Sequence, residues 1–325
     1  MGKLRSLQIL RFFAALSVVW EHAVTRVAQV YTGGQAGVDL FFVLSGFVIS
    51  HAARTRPETF LRDRLTRIYP IYWVWAAGWL ALTALDWPIG GWPLFTTLTL
   101  LPAPVASPLH TYVGVGWTLS FEMLFYLSVW LTLRGLSWRV LALAYVAAAA
   151  ASIFSPVGMF KFLGSPMVIE FALGVLAYHL GRGRPALGAA ALTLAIILFC
   201  IVPKSLIQAQ AWMESYIGLG RVGFIGPIAF MAVWGAAQFD CGSRLWEPLV
   251  LLGDASYTIY LSHLLLLLTA AKLAGHPFDP IVATVACVGI GLAAYLIAER
   301  PLLGFVRRLG ARPSTDALQA QPQRS

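Results

Sequence analysis

Long apolar stretches dominate this sequence, and their length restricts the folds that the chain can adopt. We count ten of them, near 7–25, 36–53, 68–86, 117–133, 137–155, 166–181, 186–203, 217–238, 251–272 and 280–299. A helix needs about 20 apolar residues to cross the hydrocarbon layer, and fewer where its polar residues face other helices. The pattern therefore predicts an all-α, polytopic membrane protein with about ten transmembrane helices. The stretch at 217–238 is the weakest, because Arg221 and Pro227 interrupt it.

The composition excludes several other classes of protein. Hydrophobic residues make up 59% of the chain and charged residues 11%, and the mean hydropathy is +0.75. Because soluble globular proteins carry about 25% charged residues, a water-soluble enzyme and a disordered chain are excluded. The net charge of +9 comes from scarce acids and from loop arginines, so it does not indicate a nucleic-acid partner. Cys200, Cys241 and Cys287 lie far apart and predict neither a metal site nor a disulfide framework.

The basic residues predict the orientation of the chain in the membrane. If both termini are cytoplasmic, 18 of the 23 Lys and Arg residues lie on the cytoplasmic side. Cytoplasmic loops are enriched in these residues, so we expect this orientation. Residues 1–309 would then form one membrane domain, and 310–325 a disordered cytoplasmic tail. The 87–116 connection contains no Lys or Arg and is a candidate re-entrant lid on the outer side.

The first stretch contains ionisable residues that predict a site inside the protein. An ionisable side chain at membrane depth is unfavourable by about 3 kcal/mol or more, so it is expected to face the protein interior. Arg11 and His22 are eleven positions apart, which places them on one helix face about 16 Å apart along the axis. Ala14, Ala15 and Val18 lie between them and are expected to leave room for a thin ligand. A histidine that only bonds a neighbouring helix is the structural alternative.

Two acids enter the predicted membrane region from the same side as His22. Asp39 lies near the start of the second stretch, and Glu122 near the start of the fourth. A carboxylate that holds one imidazole nitrogen raises the basicity of the other, as a general base requires. We therefore expect Asp39 or Glu122 to orient His22, with structural pairing between helices as the alternative.

Basic residues at the start of the third stretch predict an anion site on the cytoplasmic side. Arg64 and Arg67 occupy positions i and i+3 of a helix, with Arg11 at similar depth. Guanidinium groups bind phosphate through paired hydrogen bonds, which favours a phosphorylated ligand. Anchoring to anionic lipid is the alternative explanation.

In the ninth stretch Tyr257, Tyr260 and His263 recur at i, i+3 and i+6, and this polar stripe indicates a cavity or a helix contact.

Six short segments follow one another along the chain. They are LRFFAA at 10–15 with His22, GVDLFFVLSGF at 37–47, RLTRIYPIYW at 64–73, WTLSFEM at 117–123 with Phe125 and Tyr126, GDASYTIYLSH at 253–263, and Glu299-Arg300-Pro301. Taken together, the six resemble the acyltransferase-3 family of integral membrane acyltransferases, in particular its exopolysaccharide-type O-acetyltransferases.

The resemblance implies ten spans, acyl-CoA used from the cytoplasm with acetyl-CoA as the expected donor, and no metal. It implies an acceptor hydroxyl on a cell-surface polysaccharide or its lipid-linked precursor, at the bacterial inner membrane. The arginine-to-histidine motif of the family falls on Arg11 and His22, and its arginine pair falls on Arg64 and Arg67. Many members carry two acidic or amide residues after the Trp-Ser-Leu-Ser-x-Glu pattern, whereas two apolar residues follow Glu122 here.

The resulting hypothesis gives each of these residues a role. Arg64, Arg67 and Arg11 would hold the phosphates of coenzyme A, and His22 would act as general base or as transient acyl carrier. The expected substrate-binding residues are Trp117, Ser120, Tyr126, Tyr257, Tyr260 and His263.

Two other classes remain open from the sequence. In a proton-coupled transporter or flippase for a saccharide, Arg11, His22 and Asp39 would form a proton relay. A non-catalytic scaffold in a glycan assembly complex is the third class. Within the enzyme class, succinyl or another acyl group is an open variant of acetyl.

Overall fold

The structure is a computed structural model that describes residues 4–86, 88–105, 109–155, 157–208 and 215–310. The tail predicted beyond residue 310, and parts of the 87–116 connection, lie outside the described residues. All regular secondary structure within these ranges is helical, as the apolar stretches predict.

The helices follow one another in a single chain of α1 to α14. Their bounds are α1 Arg5–Ala28, α2 Ala36–Thr55, α3 Phe60–Ala84, α4 Gly91–Thr99, α5 Gly116–Leu133, α6 Trp138–Phe154, α7 Gly158–Leu163, α8 Met167–His179, α9 Pro185–Ile201, α10 Lys204–Gln208, α11 Ser215–Ala237, α12 Glu247–Ala274, α13 Pro280–Ala294 and α14 Arg300–Gly310. A 3-10 turn at Arg244–Trp246 precedes α12, and a π-helical turn at Tyr295–Glu299 joins α13 to α14.

Six helical segments in the described ranges are long and apolar enough to cross a membrane. They are Arg5–Ala28, Ala36–Thr55, Gly158–His179, Leu219–Ala237, Arg244–Ala274 and Pro280–Val306. The other four predicted stretches also coincide with helices, namely α3, α5, α6 and α9. Two of these, α6 and α9, have 17 residues each, and α3 begins with a charged segment. These four helices are therefore shorter or more polar than the six segments named above.

Close backbone contact joins α2 to α8. A Cβ atom added to Gly46 would lie 2.1 Å from the Phe171 carbonyl oxygen, and one added to Gly174 would lie 2.0 Å from the Val43 carbonyl oxygen. Two glycines thus face each other where the helices cross, as small residues do at membrane helix interfaces.

The first helix packs along α12 in a similar way, and this contact changes one expectation. A Cβ atom on Gly253 would lie 2.0 Å from the Gln8 carbonyl oxygen. The face predicted to leave room for a ligand is instead buried in protein: Ala14, Ala15 and Val18 are at most 1% exposed. That expectation was wrong, because the small side chains allow neighbouring helices to approach and fill the space themselves.

The 87–116 connection contains a helix that is fixed to α3. Three α3 side chains donate hydrogen bonds to successive carbonyls at the end of α4. The Tyr72 hydroxyl bonds Thr97 O at 2.8 Å, the Trp73 indole bonds Leu98 O at 3.0 Å, and the Tyr69 hydroxyl bonds Thr99 O at 2.5 Å. Helix ends leave carbonyls without intrahelical partners, and α3 satisfies those of α4.

Candidate active site

A cavity with about 830 Å³ of space between its atoms lies among α1, α2, α3, α5 and α12. Part of this volume is open to the surrounding solvent. Seven of the residues that the sequence selects line it: Arg11, Arg64, Arg67, Glu122, Tyr126, Tyr257 and Tyr260. Its remaining wall is mainly apolar and comes from α2, α3, α5 and α12.

Three arginines line this cavity without a hydrogen bond or a close ion pair to an acid among the described residues, although Glu122 and Glu299 lie within electrostatic range. Arg11, Arg64 and Arg67 come from two helices, and neither a hydrogen bond nor an ion pair to them occurs among the described residues. The Nε atom of Arg64 is buried and also lacks a partner in that part of the chain. Guanidinium groups removed from water are normally paired. The unpaired positive charge makes the cavity a candidate site for an anionic ligand.

Glu122 is the acid on the cavity wall, and it is held by hydroxyl groups. The Tyr126 hydroxyl donates to its Oε1 atom at 2.6 Å, one helical turn further along α5, and the Ser45 hydroxyl donates at 3.4 Å. The carboxylate therefore lies in the arginine-lined cavity and not beside His22. The expectation that Glu122 orients His22 does not agree with this geometry.

His22 contacts a second histidine. Its Nδ1 atom lies 2.9 Å from the Val18 carbonyl oxygen and 3.2 Å from Nε2 of His263. The two ring centroids are 5.1 Å apart. His263 is fully buried, and its Nδ1 atom lies 2.6 Å from the Tyr260 carbonyl oxygen. His263 was expected to bind substrate, but it is fully buried against His22 and is not among the residues that line the cavity.

Asp39 was also expected beside His22, and the structure places it elsewhere. Its two carboxylate oxygens accept hydrogen bonds from Arg221 at 2.9 and 2.6 Å, and both residues are buried. Arg221 also donates to the Gln35 and Ile207 carbonyl oxygens. No hydrogen bond joins Asp39 to His22 within the described ranges. A buried guanidinium is strongly unfavourable without an acidic partner. Asp39 is that partner for Arg221 and therefore does not contact His22.

The sequence alone does not predict this pairing, because Arg221 there only interrupts an apolar stretch. The signal was present, because an isolated arginine in an apolar helix requires an acid from another helix. A second buried acid, Glu170 of α8, lies within electrostatic range of both partners. These three residues join α2, α8 and α11 in a charge cluster away from the cavity.

The other predicted substrate-binding residues differ in their surroundings. On the cavity wall, the Tyr257 hydroxyl donates to Ile68 O at 3.2 Å, and the Tyr260 hydroxyl lies 3.1 Å from that of Thr118. Trp117 packs edge-on against Phe42 and Phe121. Ser120 is buried and is not part of the cavity wall.

Tyr260 connects the cavity to the histidine pair. Its side chain lines the cavity, and its ring centroid lies 5.7 Å from that of His263. No cluster of three or more potential metal-ligating side chains occurs in the part of the chain that the structure describes.

Comparison with known proteins agrees with this geometry. Residues 4–300 match the Acyl_transf_3 family, described as an acyltransferase domain. The chain is 33% identical to the exopolysaccharide production protein ExoZ of Rhizobium meliloti (strain 1021), over 89% of this chain and 96% of ExoZ. It is 26% identical to the acyltransferase MdmB of Streptomyces mycarofaciens, over 84% of this chain and 81% of MdmB.

A shorter relative is protein 2 in the picA locus of Rhizobium radiobacter, 31% identical over 35% of this chain and 74% of that protein. No solved structure shows significant similarity to this chain. The family match extends over nearly the whole chain and includes every helix that contributes to the cavity. An all-helical fold with membrane-spanning segments around such a cavity is consistent with chemistry inside the membrane. The chain belongs to the acyltransferase-3 family and is a membrane O-acyltransferase.

Proposed function

We propose that this protein transfers an acetyl group from cytoplasmic acetyl-CoA to a sugar hydroxyl of a bacterial cell-surface polysaccharide or its lipid-linked precursor. The observation that carries the proposal is the set of three unpaired arginines on one cavity. Coenzyme A carries several phosphate groups, and Arg11, Arg64 and Arg67 would bind them with paired hydrogen bonds. The name of ExoZ, an exopolysaccharide production protein, supports a polysaccharide acceptor.

In the proposed reaction His22 acts first as the general base and then as the general acid. Its Nε2 atom accepts the proton of the acceptor hydroxyl while the hydroxyl oxygen attacks the thioester carbonyl carbon. The carbon–sulfur bond breaks, and the coenzyme A thiolate leaves with the proton that His22 returns. The products are the sugar ester and free thiol, so His22 ends as it began.

A two-step route uses the same residue as a nucleophile. Nε2 of His22 first takes the acetyl group from the thioester, and the acceptor hydroxyl then removes it. Incubation of the protein with radiolabelled acetyl-CoA without acceptor separates the routes. Label that stays on the wild type and not on His22→Ala indicates the two-step route.

The membrane arrangement in the proposal has ten spans, with both termini in the cytoplasm of a bacterium and the protein in its inner membrane. Residues 1–309 form the acyltransferase domain, and the segment from 310 to 325 is a cytoplasmic tail. The excess of basic residues on one side supports this arrangement.

The test of the proposal is the O-acetyl content of the host's extracellular polysaccharide, measured by proton NMR. A deletion strain is complemented with the wild type, with His22→Ala, or with His276→Ala as a matched control. His276 is an exposed histidine in the loop between α12 and α13. We expect loss of O-acetyl groups in the deletion strain, recovery with the wild type and the control, and no recovery with His22→Ala.

Two outcomes would contradict parts of the proposal. Full recovery with His22→Ala would remove His22 from the chemistry. Unchanged acetylation in the deletion strain would exclude this polysaccharide as the acceptor and direct the same measurement to lipid-linked saccharides.

A further inference from the structure

We propose that His263 is a positioning residue for His22 and that the two form a neutral histidine pair. In this pair His263 accepts a hydrogen bond from Nδ1–H of His22, which leaves the Nε2 lone pair of His22 free for the reaction. The inference rests on the proposed role of His22 in acyl transfer. It replaces the carboxylate orienter that the sequence predicts.

The backbone determines which nitrogen of each ring carries the proton. A carbonyl oxygen can only accept a hydrogen bond, so a ring nitrogen within 2.9 Å of one is protonated. Nδ1 of His22 faces Val18 O at 2.9 Å, and Nδ1 of His263 faces Tyr260 O at 2.6 Å. Both neutral rings therefore carry hydrogen on Nδ1.

With these tautomers the contact between the rings has one direction. Nε2 of His263 carries a lone pair and lies 3.2 Å from Nδ1 of His22, so the single Nδ1–H of His22 is shared between this nitrogen and Val18 O, and His263 accepts. The opposite direction would require a proton on both nitrogens of His263. That ring would then be a fully buried cation, which is strongly unfavourable without an acidic partner.

The nearby acids accept hydrogen bonds from other groups, although Oε1 of Glu21 is buried without a partner among the described residues. Asp39 pairs with Arg221, Glu122 accepts from Tyr126 and Ser45, and Glu21, beside His22 in the chain, is buried and accepts hydrogen bonds from residues of the α1–α2 loop. No hydrogen bond or ion pair joins a carboxylate to either histidine in the described part of the chain. A second imidazole therefore takes the position that a carboxylate has in many catalytic histidine pairs.

The pair has a defined role in the proposed reaction. When Nε2 of His22 takes up the hydroxyl proton, the ring becomes a cation and its Nδ1–H becomes a stronger donor. His263 stabilises that cation through the existing hydrogen bond and receives no proton itself. When the proton leaves with the thiolate, both rings return to their initial state.

The position of His263 is rigid enough for this role. The ring is fully buried, its Nδ1–H is bound within α12, and its backbone carbonyl lies 3.8 Å from the Cys287 thiol of α13. A positioning residue acts by reducing the number of orientations of its partner, so rigidity is required.

Steady-state kinetics in inverted membrane vesicles test the inference with His263→Leu and His263→Gln. Removal of a partner that orients a catalytic ligand typically lowers activity about 10–100-fold. We expect His263→Leu to lower kcat by this factor with KM for acetyl-CoA within about twofold of wild type. The glutamine side chain places an acceptor near the position of Nε2, so His263→Gln should recover most of kcat.

The matched control is Ser262→Ala, which removes the adjacent buried polar group on the same helix. Its kcat should stay near the wild-type value. A wild-type kcat in a folded His263→Leu variant would overturn the inference and leave the proposed function intact. Wild-type activity in His22→Ala would instead remove the proposed role of His22.

A measurement on the wild-type protein remains decisive if His263→Leu does not fold. In detergent-solubilised protein labelled with nitrogen-15 in histidine, NMR reports the protonation of each ring nitrogen. We expect a protonated Nδ1 in His22, with scalar coupling to Nε2 of His263 across the hydrogen bond. A neutral His22 ring protonated on Nε2 would overturn the inference.

Discussion

The charge of the cavity wall depends on how a few individual side chains are held. Arg11, Arg64 and Arg67 line it together with one carboxylate, Glu122, whose Oε1 atom accepts the Tyr126 hydroxyl at 2.6 Å. Among the described residues Glu122 forms no ion pair with an arginine, although it lies within electrostatic range of Arg11 and Arg64. The wall consequently keeps an excess of positive charge, and each residue that changes this excess should change the affinity for an anionic donor.

Loss of one cavity arginine should weaken donor binding. A hydrogen bond to a charged group contributes about 1.5–3 kcal/mol, so Arg67→Gln should raise KM for acetyl-CoA by about 10–100-fold, measured with inverted vesicles. The control is Arg62→Gln on the same helix, since the Arg62 side chain is 60% exposed. An equal rise in KM for both variants would show that general surface charge, and not the cavity, attracts the donor.

Changes at Glu122 and Tyr126 should act in opposite directions. Glu122→Gln removes the negative charge and should lower KM for acetyl-CoA, whereas Tyr126→Phe frees the carboxylate to pair with an arginine and should raise it. We expect changes of about threefold to tenfold, corresponding to about 1 kcal/mol for partly screened charges. The measurement is the KM of both variants at low and high salt. A collapse of kcat in Glu122→Gln would contradict this electrostatic role and assign Glu122 to the chemistry.

Between helices, the strongest polar contact lies away from the cavity. Asp39 and Arg221 join α2 to α11 in a buried ion pair, while Gly46 and Gly174 join α2 to α8. The second helix is therefore held on two sides by contacts that require particular side chains. This rigid support positions the α2 wall of the cavity.

Breaking the buried pair should destabilise the fold. Arg221→Met leaves Asp39 buried without a cation, and loss of one partner of a buried pair is unfavourable by about 3–5 kcal/mol. We expect a lower thermal midpoint in detergent and lower expression. The matched control is Lys272→Met, which breaks the exposed Lys272–Asp86 pair and should change stability by less than about 1 kcal/mol. Equal midpoints for Arg221→Met and wild type would contradict the structural role.

The helix crossing gives a second test of stability. In Gly174→Ala the new methyl group would meet a backbone oxygen that cannot rotate away, and overpacking of this kind destabilises by about 1–3 kcal/mol. Gly289→Ala in α13 is the control, because the space around Gly289 is open to 4 Å. The thermal midpoint of detergent-solubilised protein should fall for the first variant only.

Sequence periodicity predicted the helices better than the contacts between them. The stretch predicted at 166–181 is helix Met167–His179, and the interrupted stretch at 217–238 is helix Ser215–Ala237. Hydropathy detects such segments because each residue contributes independently to the mean hydropathy of its segment. The partner of Asp39 depends on which helices are neighbours, and one sequence does not contain that information. Arg64 and Arg67 were found because their spacing along one helix determines their common face, and Arg11 was found because the sequence places it at a similar depth.

For the whole molecule, function depends on which end of the membrane helices faces the cytoplasm. In the proposed function the donor enters at the arginines and the acceptor lies outside the cell, so the proposed reaction requires the orientation that the basic residues predict. The loop between α11 and α12 contains Cys241, and the loop between α12 and α13 contains His276. These loops lie at opposite ends of α12, so they should face opposite sides of the membrane.

Cysteine labelling tests this orientation with a membrane-impermeant maleimide. In a variant without Cys200 and Cys287, Cys241 should react in inverted vesicles and remain unlabelled in intact cells. Partial burial and the neighbouring Asp240 raise the pKa of the Cys241 thiol. Because the thiolate is the reactive form, labelling should become faster as the pH rises above neutral. His276→Cys, in a variant that also lacks Cys241, should give the reverse pattern, with labelling in intact cells. Labelling of Cys241 from outside would invert the topology and place the arginine-lined cavity on the side without acetyl-CoA.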